Sequence, residues 1–133
     1  RQRQMCIRDR MYELSKQFIF DAAHTLERKI ETDPSRRIHG HTYLAEVTLR
    51  GKADPASGMV MDVGLLARLL EEVRDGLDHR FLDEVPDLGP ATMENLCAWI
   101  WRHLAAPCPA LYRVTISRAS NQDRCAYYGP EAA

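Results

Sequence analysis

The chain has 133 residues, of which 45% are hydrophobic, and its formal net charge is −1. This length and composition are those of one globular domain that can bury its own core. Without a basic field or a long apolar run, we expect neither nucleic acid nor a membrane among its partners. The four cysteines lack CxxC spacing, so we expect reduced thiols in a cytoplasmic protein.

The first ten residues differ from the rest of the chain. They carry four arginines and two glutamines without periodicity, and a strand pattern begins only at Met11. We therefore predict that residues 11–133 form a single domain and that residues 1–10 are an adapter-derived or disordered segment. A short basic arm is the alternative.

Alternating side chains indicate two strands in the first half. The pattern from Met11 to Phe20 is rich in aromatic residues, and alternation returns from His41 to Leu49. One face of the second strand is apolar and carries Tyr43, Ala45, Val47 and Leu49. Residues 27–36 are charged and contain the turn signal Asp33-Pro34-Ser35, so we expect a loop between the strands.

Two amphipathic helices and two further strands follow. Asp62 can cap a helix that runs to about Asp75, and Thr92 can cap a second helix that ends before Pro107. The apolar stripe predicted for the first helix consists of Leu65, Leu66, Leu69, Leu70 and Val73. Residues 111–117 and 125–128 read as the last two strands.

The order of elements is therefore strand, strand, helix, helix, strand, strand. This order predicts an α+β fold in which a four-stranded antiparallel sheet carries two helices on one face. Because such a sheet has two unpaired edge strands, we expect homo-oligomers in which these edges join into a barrel.

Three of the five histidines have the spacing of metal ligands. In a strand, residues i and i+2 project from the same face, so His39 and His41 can bind one ion together. His24 lies near the end of the earlier strand, which can bring it within reach. Three imidazoles with no fourth protein ligand are typical of a catalytic zinc site. An exposed pair of strand histidines is the alternative reading.

Other polar residues suggest chemistry less specifically. Asp78 can orient His79 and make it a proton shuttle, although adjacent Asp and His are also common on surfaces. Arg36 and Arg37 suit a phosphate-bearing substrate, or form a solvated basic loop. His103 lies between apolar positions of the second helix, so we expect it to have a packing role.

Five short motifs together resemble the 6-pyruvoyltetrahydropterin synthase family, in particular the bacterial 6-carboxytetrahydropterin synthases of queuosine biosynthesis. The resemblance covers roughly residues 12–129 in order. The motifs are Phe20-Asp21-Ala22-Ala23-His24, Arg37-Ile38-His39-Gly40-His41, Gly58-Met59-Val60-Met61-Asp62, Leu77-Asp78-His79-Arg80 and Thr92-Met93-Glu94-Asn95-Leu96.

The resemblance implies a tunnelling fold assembled as a homotrimer or homohexamer, with Zn²⁺ bound by His24, His39 and His41. It implies a lyase that converts 7,8-dihydroneopterin triphosphate to 6-carboxytetrahydropterin, with loss of triphosphate and acetaldehyde. Asp78 and His79 match the proton-relay pair of the family. Thr92 matches a threonine that contacts the pterin.

Two positions depart from the pattern of the family. The catalytic cysteine of the family is replaced by Ser35, whose hydroxyl is a much weaker base than a thiolate. Glu27 and Glu31 lie in the same loop, and either carboxylate is a candidate base. The glutamate that anchors the pterin aligns with Arg118, a cation that cannot accept hydrogen bonds from the pterin N–H groups.

Three functions are consistent with these residues. The first is a zinc lyase of the 6-carboxytetrahydropterin synthase type with a different base. The second is a zinc-containing paralogue for another substrate, in which Arg118 binds an anionic group. The third is a non-catalytic protein that binds a metal or a ligand, and the intact Asp78-His79 pair argues against it.

Overall fold

The computed structural model describes residues 10–26 and 36–130. Four strands form one antiparallel sheet in the order β1-β2-β3-β4, and two α-helices lie between β2 and β3 in the sequence. The elements are β1 (Tyr12–His24), β2 (His39–Gly51), α1 (Val63–Asp75), a 3-10 turn (Leu82–Glu84), α2 (Met93–Leu104), β3 (Leu111–Arg118) and β4 (Asp123–Tyr127). The predicted α+β order is confirmed.

Both helices begin at the residues predicted to cap them. The carboxylate of Asp62 accepts a hydrogen bond from the Gly64 N–H at 2.7 Å. The Thr92 hydroxyl accepts one from the Asn95 N–H at 3.1 Å. Each cap satisfies a backbone donor at the helix start, a contribution of about 1 kcal/mol.

The core lies between the helices and one face of the sheet. The predicted apolar face of β2 is buried, since Tyr43, Ala45, Val47 and Leu49 are at most 1% exposed. Helix α1 packs against β1, and α2 packs against β3 and β4. The helices contribute the buried side chains Leu66, Leu70, Val73, Leu96, Ile100 and Leu104.

The apolar stripe of α1 is narrower than predicted. Leu66, Leu70 and Val73 are buried, with i, i+4 and i+7 spacing, whereas Leu65 is 51% exposed. Successive helical residues are about 100° apart, so Leu65 flanks the face that meets the sheet. The prediction was wrong for Leu65 because periodicity alone does not tell which edge of a wide stripe meets the core.

The first two strands are longer than predicted at the ends that meet each other. β1 continues to His24 and β2 begins at His39, and these two residues are direct cross-strand partners. Ala22 pairs with His41 in the same register. The pairing therefore extends to the histidines. Within the described ranges, no helix is both long and apolar enough to span a membrane.

Replacement of Leu66 tests the position of the core. Leu66→Ala should lower the free energy of unfolding by about 2–5 kcal/mol, because it leaves a cavity under α1. Leu65→Ala, the matched control, should change it by less than about 0.5 kcal/mol. Equilibrium urea denaturation measures both, and equal losses would contradict the described packing of α1.

Candidate metal centre

The register of β1 with β2 brings three imidazoles together on the helix-facing side of the sheet. One ring nitrogen each of His24, His39 and His41 lies within 4.8 Å of the other two. The ring centroids are 4.5–5.0 Å apart. In the described part of the chain this cluster contains histidines only, with no carboxylate or thiol.

Backbone carbonyls fix the tautomer of two of these histidines. His24 Nδ1 lies 2.8 Å from the Ala91 carbonyl oxygen, and His39 Nδ1 lies 2.7 Å from that of Arg37. A carbonyl oxygen can only accept, so each Nδ1 carries a proton, and in the neutral imidazole the lone pair is on Nε2. His24 is 1% exposed, and its Nε2 is buried without a hydrogen-bond partner.

The third histidine contacts an arginine. Arg118 Nη1 lies 3.2 Å from His41 Nε2. Because a guanidinium can only donate, the Nε2 of His41 must be the acceptor. Burial, followed by the charge of Arg118, lowers the pKa of His41 to about 4, so its imidazole is neutral near pH 7. Burial also lowers the pKa of His24.

The cluster meets the requirements of a metal site. A neutral imidazole nitrogen is a common ligand of Zn²⁺, and metal-bound histidines usually donate their other N–H to a carbonyl or carboxylate. The carbonyls of Ala91 and Arg37 supply these outer contacts for His24 and His39. The buried, unpartnered Nε2 of His24 is the kind of atom that an ion would satisfy.

Arg118 lies on the same face, beside the cluster. Its side chain is 14% exposed and pairs with Asp123, the residue opposite it on β4. It also lies near the hydroxyl of Tyr43, whose pKa burial raises to about 12. The Nε of Arg118 is buried and has no hydrogen-bond partner. A cation therefore stands next to the three histidines.

Asp78 and His79 lie along the outer edge of β1, just after α1. The His79 N–H donates to the Asp21 carbonyl at 2.7 Å, and the Ala23 N–H donates to the Arg80 carbonyl at 3.2 Å. His79 adopts a left-handed conformation, with φ of 58°, which is uncommon but tolerated by histidine. These backbone bonds fix where the Asp-His pair sits.

Three donors surround the carboxylate of Asp78. It accepts the Asp21 N–H at 3.0 Å, and it lies 3.1 Å from Arg74 and 2.9 Å from His79 Nδ1. The Asp21 hydrogen bond, the largest effect, lowers the pKa of Asp78. The Asp78 carboxylate therefore stays ionised and orients His79, whose side chain is 78% exposed.

The Asp78-His79 pair groups with the carboxylate of Asp21, apart from the histidine cluster, since ligand atoms of these three residues lie within 4.8 Å of one another. The side chain of Asp21 contacts the Thr42 hydroxyl at 2.5 Å, and alternation places both of these side chains away from His24 and His41. A cleft of about 510 Å³ is lined by Asp21, Thr42 and His79 and also by Gly40 and His41, so it borders both groups. The structure thus gathers the predicted residues into two groups.

The remaining predicted residues have mixed placements. Thr92 follows Ala91, which holds His24, and its hydroxyl serves as the helix cap. Arg37 contributes its carbonyl oxygen to His39.

The described residues do not include the predicted loop residues Ser35, Glu27 and Glu31. His103 bonds the Trp99 carbonyl at 2.8 Å and stacks on the Trp99 ring, a packing role.

Sequence reasoning missed three contributors to the two groups. The i,i+4 spacing of Arg74 and Asp78 was a usable signal for an ion pair on one side of a helix end. The carbonyl of Ala91 and the N–H of Asp21 have no side-chain signature. Only the tertiary structure shows that these backbone atoms hold His24 and Asp78.

Comparison with known proteins identifies the family. The model of the family described as 6-pyruvoyl tetrahydropterin synthase matches residues 13–131. Human 6-pyruvoyl tetrahydrobiopterin synthase is 34% identical over 125 residues, which cover 82% of this chain and 86% of the human protein. A 6-carboxy-5,6,7,8-tetrahydropterin synthase from Synechocystis sp. is 33% identical over 112 residues, covering 80% and 85%.

Two solved structures have a similar fold. The Caenorhabditis elegans 6-pyruvoyl tetrahydropterin synthase superposes with a TM-score of 0.77 at 30% identity, covering 90% of this chain and 96% of that one. The Plasmodium vivax protein of the same name has a TM-score of 0.69 at 18% identity, covering 91% and 99%, and supports the fold alone. The chain belongs to the 6-pyruvoyl tetrahydropterin synthase family, whose members are lyases of pterin metabolism.

Removal of one histidine tests the metal centre. His39→Ala should abolish stoichiometric zinc binding, because two imidazoles remain where a catalytic zinc site uses three protein ligands. His103→Ala, which removes a histidine outside the cluster, should keep the zinc content of the unmodified protein. Metal analysis after zinc loading and gel filtration measures both, and full zinc content in His39→Ala would refute the assignment.

Proposed function

We propose that the chain is a zinc-dependent lyase of the 6-carboxy-5,6,7,8-tetrahydropterin synthase type. It acts on 7,8-dihydroneopterin triphosphate in the biosynthesis of queuosine and related 7-deazapurines, in the cytoplasm. The observation that carries this proposal is the convergence of His24, His39 and His41 on one face of the sheet. The named activity of the Synechocystis relative supports it.

His24, His39 and His41 would hold the zinc ion. When bound, zinc supplies Lewis acidity that polarises hydroxyl and carbonyl oxygens of the substrate side chain. The carbonyls of Ala91 and Arg37 keep two of the imidazoles in the required tautomer and orientation.

His79 would move protons during the reaction, with Asp78 as its orienting partner. Asp78 accepts from His79 Nδ1, which leaves His79 Nε2 to take up or release a proton. The adjacent carboxylate stabilises the imidazolium form of His79. The bonds from Asp21 and Arg74 keep Asp78 in place while the charge on His79 changes.

The base that starts the reaction would come from the loop that contains Ser35. A serine hydroxyl is a poor base without a strong partner, so Glu27 or Glu31 is the candidate that we propose. A carboxylate in such a role has a precedent, because the catalytic residue named for the Plasmodium vivax protein is a glutamate.

We propose a homotrimer or homohexamer as the working assembly. Within one chain, the Asp78-His79 pair groups with Asp21 and is separate from the histidine cluster. An assembly that joins sheet edges can bring His79 of one chain toward the metal centre of a second chain. The edge position of β1, along which His79 lies, supports this arrangement.

A second candidate function is a zinc-containing paralogue whose substrate carries an anionic group. Arg118 favours it, because a buried guanidinium stands beside the histidine cluster. A guanidinium matches carboxylate and phosphate groups, whereas the N–H edge of a pterin needs an acceptor.

Turnover with the proposed substrate separates these two functions. The zinc-loaded protein should convert 7,8-dihydroneopterin triphosphate to 6-carboxytetrahydropterin, with acetaldehyde released in equal amounts, as measured by chromatography and an aldehyde assay. The same assay detects 6-pyruvoyltetrahydropterin, the alternative product. Failure to bind or convert the pterin, with zinc bound, would contradict the leading proposal and favour the paralogue.

Replacement of Asp78 tests the relay. Asp78→Asn should lower kcat by about 10²–10⁴-fold, because the amide neither stabilises the charged form of His79 nor holds its proton in place. Zinc content should stay unchanged, since Asp78 lies outside the metal cluster. Asp75→Asn removes an exposed carboxylate nearby and serves as the control. A kcat for Asp78→Asn equal to that of Asp75→Asn would exclude the role.

A further inference from the structure

Arg118 contacts the ring nitrogen of His41 that carries its lone pair, and a metal ion requires that lone pair. The guanidinium donates from Nη1 to His41 Nε2 at 3.2 Å. A neutral imidazole has one lone pair, because its other nitrogen carries the proton. In His41 that lone pair is on Nε2, and the arginine occupies it.

The contact of Arg118 with His41 and a metal bond to His41 therefore exclude each other. If a metal binds Nε2, it replaces Arg118 directly. If it binds Nδ1 instead, the proton moves to Nε2, which then becomes a donor and no longer accepts from the guanidinium. This exclusion distinguishes His41 from His24 and His39, whose Nδ1–H groups are held by backbone carbonyls.

Arg118 stays beside the centre when it releases His41. Its Nη2 pairs with Asp123 at 2.5 Å, and these two residues are cross-strand partners in β3 and β4. The released Nη1 is then a charged donor beside the cluster, whereas the buried, unpartnered Nε points to the opposite side of the planar guanidinium. A buried donor of a charged group requires an acceptor, and an oxyanion supplies one through a charge-assisted hydrogen bond.

We propose that Arg118 and a metal ion are alternative partners of His41, and that metal binding frees the Arg118 guanidinium to bind an oxyanion beside the metal. The ligand class is a carboxylate or phosphate group of the substrate or product. A negative group between the guanidinium and a divalent cation offsets their mutual repulsion. The inference rests on the proposed metal site and does not depend on the proposed pterin reaction.

Two effects on zinc affinity follow. The arginine competes with zinc, so zinc binding to the unmodified chain is weakened. An oxyanion binds better to the metal-loaded protein, and by linkage it must strengthen zinc binding by the same factor.

The experiment measures zinc affinity by competition with a chromophoric chelator, in chloride and in sulfate at equal ionic strength. Sulfate is a suitable probe because it binds guanidinium as phosphate does. Acetate is measured beside it as the carboxylate probe. Arg118→Met removes the competitor. Arg113→Met is the matched control, since Arg113 lies on the same strand, is 23% exposed and contacts Glu13 and Thr48 instead of the histidines.

In chloride, Arg118→Met should bind zinc about tenfold more tightly than the unmodified chain. Sulfate or acetate should tighten zinc binding by the unmodified chain and by Arg113→Met, and leave Arg118→Met unchanged. Zinc affinity that is unchanged or weaker in Arg118→Met would overturn the competition. An oxyanion effect that persists in this variant would overturn the assigned anion site.

The unmodified chain alone keeps the inference testable if Arg118→Met does not fold. If neither oxyanion strengthens zinc binding by the unmodified protein, the proposal is overturned. A complete lack of zinc binding by this protein would overturn both the proposal and the metal site beneath it. The other adverse results contradict the proposed role of Arg118 and leave the proposed metal site unaffected.

Discussion

The antiparallel pairing of β1 with β2 holds the candidate centre together, since it places His24 opposite His39 and Ala22 opposite His41. The side chains of a strand alternate between faces, so a slip of one residue would move His24 to the far side of the sheet. The same register buries Phe20 and Tyr43, whose stacked rings are 5.0 Å apart. Core packing and assembly of the centre are thus consequences of one alignment.

The histidine cluster and the Asp78-His79 pair have different electrostatic environments. On the helix-facing side, burial keeps His24 and His41 neutral and available as ligands, while the charge of Arg118 is balanced by Asp123. Along the outer edge of β1, the ionised Asp78 orients the exposed imidazole of His79. The chain that carries both groups belongs to a family of pterin metabolism.

Much of this could be predicted from the sequence, because local patterns determine it. The alternation of β2, the caps Asp62 and Thr92, and the His39-Gly40-His41 spacing all act within a few residues. Contacts across long stretches of sequence could not be predicted. Ala91 meets His24 from 67 residues away, Asp78 meets Asp21 from 57, and Arg118 meets His41 from 77. The spacing of residues in the sequence does not show which distant residues meet in space. The packing of the helices and strands determines those contacts.

The hydrogen bond between His24 and the Ala91 carbonyl has a consequence for the cooperativity of folding. His39 is oriented by Arg37, two residues away, and His41 follows on the same strand, so this part of the centre needs only a local conformation. The orientation of His24 requires the segment before α2 to be docked on the sheet. An ion that binds only the complete set of three histidines stabilises the docked form over partly opened ones. Metal binding would then hold α2 against the sheet, so that this end of the domain unfolds only together with the core.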